Sequence, residues 1–355
     1  MLRLDTPPGV SDPACGWEAL LATADDHRLL PALWSRLIAR GVQPLPTALR
    51  QPDAPLAILQ AAYDDNAARV ADLRQQGEAL LCALDGRDVD SIPLKGLHWL
   101  LADWLPDPAA RVMVDIDVLV PANRAATAVA VASGHRYQPV AIDDPEGMAD
   151  HEVITLISAG RAGSVEIQVA PLVHRYDAVM PAADLRAGAT TIDRGERAQK
   201  IPNPTHAVIL TIAHAQLQDE CHRLLTIPLR ALHDVALVMT NEQIVFDWDE
   251  VTDRFARAGH ASALAGFAAA ADELFEVALP VSRRRGHRWV GRTRHAARHP
   301  RLAHRYREIV TIPRALSSAR MTRLYGTRGP LSRSTARVRH IVRGALRRVA
   351  GRGRR

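Results

Sequence analysis

The sequence predicts an α+β fold: a small mixed β-sheet flanked by N-terminal helices and a C-terminal helical region. Three observations carry this expectation. Apolar residues recur near helical spacing over 17–40 and 54–84. Short apolar or alternating segments then follow at 90–94, 113–120, 152–158 and 164–169. After Pro204 the pattern is helical again.

The run 17–40, with Trp17, Leu20, Leu33 and Trp34, reads as core-facing helix that stops at Gly41. Leu59, Val70, Leu73 and Leu80 stripe a longer helix over 54–84. Strand 90–94 leads through a Lys95-Gly96 turn into a helix over 97–105 and a Pro-Asp-Pro loop at 106–108. Strand 113–120 precedes a helix over 123–133. Segments 152–158 and 164–169 form a hairpin around a glycine-containing loop. Between them, acidic residues 143–151 form a loop that could cover a site. His151 at its end reads equally as a substrate contact and as a structural histidine. Helices over 206–217, 224–239, 248–258 and 261–277 complete the body. The chain divides on this reading into an N-terminal helical segment (1–88), an αβ core (89–200), a helical domain (201–281) and an Arg-rich extension (282–355).

Charge is divided unevenly. Residues 282–355 hold 23 arginines and one acid, Glu308, for a net of +22, while residues 1–281 carry −16. A basic end on an acidic body suggests contact with polyanions: nucleic acid, an anionic membrane surface or an acidic partner. Residues 337–349 alternate arginine with Val338, Ile341, Val342 and Leu346 as a basic amphipathic helix would, and Leu302, Tyr306 and Ile309 hint at another. No stretch approaches the roughly 20 apolar residues of a membrane span, and the N-terminus lacks a signal-peptide core. Cys15, Cys82 and Cys221 show neither pairing nor zinc spacing and read as buried thiols. A cytoplasmic location fits these features.

The chemistry concentrates at 111–120, Arg-Val-Met-Val-Asp-Ile-Asp-Val-Leu-Val. Strand side chains alternate, so Asp115 and Asp117 share a face. Two like charges on a core strand are costly to bury unless a cation compensates them, and hard oxygen donors suit Mg²⁺ or Mn²⁺. Lys95 is one of two lysines against 43 arginines. Its place before Gly96 suits a compact point charge, and a glycine there lets backbone N–H groups approach a phosphate.

Leu94-Lys95-Gly96, Arg111 and Asp115-Ile-Asp117-Val-Leu-Val together resemble the pattern of the uncharacterised nucleotidyltransferase family, within the DNA polymerase β-like superfamily. The resemblance covers roughly residues 20–240 and is sharpest over 94–120. It implies a third carboxylate on a neighbouring strand, for which Glu166 is the candidate. It also implies two Mg²⁺ ions held by Asp115, Asp117 and Glu166, with a nucleoside triphosphate, ATP by default, as co-substrate. The reaction implied is transfer of a nucleoside monophosphate to a hydroxyl-bearing acceptor with release of pyrophosphate, Glu166 assisting deprotonation. The acceptor could be a small metabolite, a sugar, a peptide or a protein. Lys95 and Gly96 would meet the triphosphate; Arg111 would do so or pair with a carboxylate of the body. His214 and Asp234 fit the family's helical histidine and aspartate, bracing the nucleotide end of the cleft or pairing with each other. Relatives carry His where this chain has Gln168, which can hydrogen-bond but neither titrate nor bind metal as imidazole does. That departure leaves a nucleotide-binding protein without catalysis as an alternative, and the basic extension leaves a polyanion-binding protein as another.

Overall fold

The computed structural model describes residues 16–44, 54–139, 152–193 and 198–315. The fold is α+β. A five-stranded mixed sheet is built from β1 (Ile92–Leu94), β2 (Asp115–Leu119), β3 (Gln138–Pro139), β4 (Glu152–Ile157) and β5 (Ser164–Gln168), in the order β1-β2-β5-β4-β3. β2 and β5 run parallel; the other neighbours are antiparallel. The parallel pair places Asp117 opposite Glu166, and the β1 register places Leu94 on the other side of Asp117. A β4–β5 hairpin at this register needs a tight return at Gly163. Its φ of +80° is open to glycine, and a Cβ there would lie 2.6 Å from the Val114 carbonyl.

Two N-terminal helices, α1 (Trp17–Asp26) and α2 (Leu30–Ala39), pack on the 31-residue α3 (Pro55–Asp85), which begins with proline at its first turn. The expected single run over 17–40 is broken. Leu29 N–H bonds to Ala24 O and Arg28 N–H to Asp25 O, with Arg28 left-handed at φ 56°. This is a Schellman-type end in which Arg stands where glycine is usual, so no glycine marked it. α1 is also less of a core helix than its spacing suggested: only Ala24 is buried, and Trp17 and Leu20 are exposed. The N-terminal helices brace the segment entering β2. Asp107 accepts from Ser35 and Tyr63, and Asn66 Nδ2 donates to the carbonyls of Ala109 (2.7 Å) and Arg111 (3.0 Å).

Beyond the sheet strand β1 comes α4 (Lys95–Leu101), and between β2 and β3 lies α5 (Ala125–Gly134). α4 begins at Lys95 itself, earlier than expected, so Lys95-Gly96 forms its first turn. After β5 come α6 (Ala182–Ala187) and a separate two-stranded hairpin of β6 (Thr190–Asp193) and β7 (Ala198–Ile201). The all-helical part is α7 (Pro204–Ala213), continued by a π-turn at His214–Gln218, then α8 (Cys221–Leu224), α9 (Leu229–Met239), α10 (Trp248–Arg257) and α11 (Ala261–Phe275). The expected helix over 224–239 starts only at Leu229, because Leu225 is left-handed (φ 53°) and Pro228 precedes the first turn.

The basic end starts with α12 (Gly286–Arg298), packed on α11, and α13 (Pro300–Ala315). One apolar cluster runs from α3 through the sheet to α12. Cys82 is exposed and Cys221 half-buried, not the buried thiols expected: Cys82 lies outside the buried set of α3, and Cys221 opens α8, a four-residue helix with no buried residue. The acidic loop 143–151 with His151, the helix expected at 337–349, and Cys15 lie outside the described residues.

Candidate functional site

Asp115, Asp117 and Glu166 converge. Each offers a carboxylate oxygen, and the three oxygens lie within 4.8 Å of one another. The parallel β2–β5 register brings this about. Asp115 and Asp117 project from one face of β2, and Glu166 comes from the adjoining position on β5. Asp117 is fully buried between its neighbours, and its Oδ2 has no hydrogen-bond partner.

Lys95 supplies the nearest positive charge. Its ammonium lies 2.5 Å from Asp117 Oδ1 and 3.6 Å from Glu166 Oε2. Burial opposes the lysine's charge, but Asp117 and Glu166 outweigh it and hold the ammonium firmly protonated. Asp117 is pushed up to about 6, first by burial, with Lys95 pulling downward and Glu166 upward. Burial and then Asp117 also raise Asp115. Gln168 lies two residues beyond Glu166 on β5. Its Nε2 donates to Asp117 Oδ1 at 2.6 Å and to Glu166 Oε2 at 3.3 Å, so the amide ties the two carboxylates together.

Three hard oxygen donors fit a divalent cation such as Mg²⁺ or Mn²⁺. Three carboxylates against one ammonium leave two negative charges in excess, the charge of one such ion. The orphaned Asp117 Oδ2 adds an unused lone-pair donor at the same place.

Gly96 is needed for packing as well as any ligand. A Cβ there would fall 2.6 Å from Met113 Sδ and 2.8 Å from an Arg111 nitrogen. Arg111 takes the second of its two expected roles: Nε donates to Asp234 Oδ2 at 3.0 Å, and both side chains are buried. Burial works to raise Asp234, but Arg111, His233 and Arg230 together hold it below the usual carboxylate range. His214 and Asp234 do not pair with each other. His214 Nδ1 lies 3.2 Å from Asp219, across the π-turn, while Asp234 is engaged by Arg111. Both line a cavity of about 330 Å³ that Lys95 and Arg111 also border; Asp115, Asp117 and Glu166 are not among its lining residues, and Lys95 links it to them.

Sequence reasoning missed three cavity residues. His98 is buried with neither ring nitrogen partnered, and burial, then Arg111, drives its pKa down to about 3. Arg28 and Arg230 also face the cavity. In a chain of 43 arginines nothing local set these two apart.

Carboxylates gathered on adjacent strands are the donor set of proteins that move phosphoryl and nucleotidyl groups with divalent metals. The family is more specific: residues 13–276 match the family model described as uncharacterised nucleotidyltransferase, and the chain belongs to that family. No curated protein and no solved structure matches it. Among the described residues, no helix is long and apolar enough to cross a membrane.

Proposed function

We propose that the protein transfers a nucleoside monophosphate from a nucleoside triphosphate, ATP by default, to a hydroxyl-bearing acceptor. The observation that carries this reading is the convergence of Asp115, Asp117 and Glu166 within 4.8 Å on adjacent parallel strands. These three residues would hold Mg²⁺ or Mn²⁺. When bound, the metal supplies charge compensation for the phosphates and lowers the pKa of the acceptor hydroxyl.

The chain's own groups do the rest. Lys95, at the first turn of α4, keeps its positive charge and lines the cavity. Gln168 holds Asp117 and Glu166 in register, a task that needs an N–H donor and not a titrating ring. Glu166 is more exposed than Asp117, which supports it as the group that takes the acceptor proton. The acceptor oxygen attacks the α-phosphorus, the bond to the β-phosphate breaks, and pyrophosphate leaves. Positioning and electrostatics provide most of the acceleration in such transfers.

The test is pyrophosphate release with each nucleoside triphosphate and a panel of acceptors, in Mg²⁺, comparing wild type with Asp117→Asn. The variant is expected to lose at least ~100-fold in rate and to lose the Mg²⁺-induced rise in melting temperature. Equal release by both proteins removes the proposal.

A further inference from the structure

One wall of the cavity is not used by the transfer reading. α9 begins at Leu229 directly after Pro228, which has no side-chain cap to offer. Its first turn, Leu229 to Ala231, lines the cavity. The N–H groups of Arg230 and Ala231 meet no backbone acceptor among the described residues. The start of an 11-residue helix thus presents unsatisfied donors, equivalent to roughly half a positive charge.

Two guanidinium groups reach the same space. Arg28 arrives from the left-handed break between α1 and α2, and Arg230 from α9. Neither side chain has a hydrogen bond or ion pair among the described residues, whereas Arg111 is committed to Asp234 and Lys95 to Asp117. His98 lines the cavity too, nine-tenths buried and more, with both ring nitrogens unpartnered. Of the acids that line the cavity, Asp234 is held by Arg111 and Asp219 lies beside His214, which leaves Asp26 against the two guanidinium groups and the helix start; this wall suits an anion rich in oxygen acceptors. Arg230 also lies close enough to Asp115 for each charge to bear on the other, so the positive wall borders the acidic trio.

We propose that Arg28, Arg230 and the first turn of α9 form a subsite for the terminal phosphates of the donor triphosphate, with His98 as a further hydrogen-bonding group. This rests on the nucleotidyl-transfer reading and goes beyond it by saying which end of the donor enters the cavity. Guanidinium forks match phosphate oxygens two at a time, and an uncapped helix start is a natural anion site.

The probe is inorganic tripolyphosphate, which has no base or sugar, titrated with Mg²⁺ into the full chain by calorimetry. AMP, which lacks the terminal phosphates, is the second probe, and ATP the competitor. Wild type is expected to bind tripolyphosphate and to release it to ATP. Arg230→Gln and Arg28→Gln are each expected to weaken tripolyphosphate at least tenfold and to change AMP affinity less than twofold. Arg28 is exposed at a helix break, so its variant keeps the test open if Arg230→Gln fails to fold. Absent binding in wild type, or equal binding in wild type and variants, overturns the subsite. Tripolyphosphate bound at Arg230 that ATP does not displace would assign the wall to a phosphate on the acceptor, and also overturns it. Because binding needs no turnover, failure of the subsite and failure of transfer are read separately.

Discussion

At Asp117 burial and charge oppose each other. The carboxylate has lost its water, keeps one oxygen unpartnered, and shares Lys95 with Glu166. Gln168 is the residue that makes this arrangement rigid. Gln168→Leu removes the donor to both carboxylates and is expected to weaken Mn²⁺ about 10- to 100-fold, the usual cost of losing a group that orients a ligand. A Mn²⁺ titration checks it; a lower melting temperature with unchanged Mn²⁺ affinity would mean that the amide only packs. His98 gives a second residue-scale test. Folded, its imidazole stays neutral down to about pH 3; unfolded, it takes a proton near 6.5. The unfolded state therefore binds more protons between these values. The group's share of stability is complete above pH 6.5 and is lost as the pH falls, at about 1.4 kcal/mol per pH unit. His98→Phe, which keeps an aromatic ring beside Trp99 and Trp104, should remove that slope. Urea unfolding at pH 7 and pH 5 should show wild type losing about 2 kcal/mol more than the variant; equal losses would contradict the assignment.

Among the elements, the buried Arg111–Asp234 pair joins the entry to β2 with α9, and so fixes the helical region over the sheet edge. Removing either partner leaves a buried charge alone. Arg111→Ala and Asp234→Ala should each cost about 3–5 kcal/mol, while the double variant should cost clearly less than their sum. Chemical denaturation of the four proteins closes that cycle. The pair's contribution also has a pH sign. Asp234 is held below its ordinary pKa, so its share is present above pH ~4 and lost as acid protonates the folded carboxylate. The elements differ in how far they were legible. β4 and β5 could be read from alternation, because one face is buried and the other carries Glu166 and Gln168. The break at Arg28 could not, since its Schellman-type end is closed by backbone bonds that any residue makes and only glycine advertises. The delayed start of α9 had a local mark, Pro228, whereas the start of α4 at a left-handed Lys95 (φ 47°) had none.

For the whole molecule, the notable feature is where the acidic body ends and the basic segment begins. α12 belongs by packing to the body. Trp289 stacks on His222 and donates to its carbonyl at 2.8 Å, and Val290 is fully buried. Arg283 and Arg294 meet Asp272 and Glu273 on α11. The backbones abut at Gly286, where a Cβ would lie 1.9 Å from the Ala265 carbonyl. Gly286→Ala should therefore lift α12 off α11 and cost about 2–3 kcal/mol, seen as a lower denaturation midpoint and faster protection loss in hydrogen exchange along both helices. An unchanged midpoint would show that the contact is loose. A cut at residue 281, which the charge count alone would suggest, removes this helix and would confuse loss of polyanion binding with loss of stability.

Sequence alone determined the chemistry-bearing strand. Asp115 and Asp117 share a face because strand side chains alternate, and that local rule needs no knowledge of the rest of the chain. It also determined the family motif and the α+β order of elements, which follow from periodicity. Only the tertiary structure decided that Glu166 stands opposite Asp117, that Arg111 serves Asp234, and that His214 turns to Asp219. It alone brought Arg28, His98 and Arg230 to one cavity. The physical reason is separation along the chain: strand register and helix docking join residues far apart in sequence, and no local pattern of side chains records which distant partner will neutralise a buried charge.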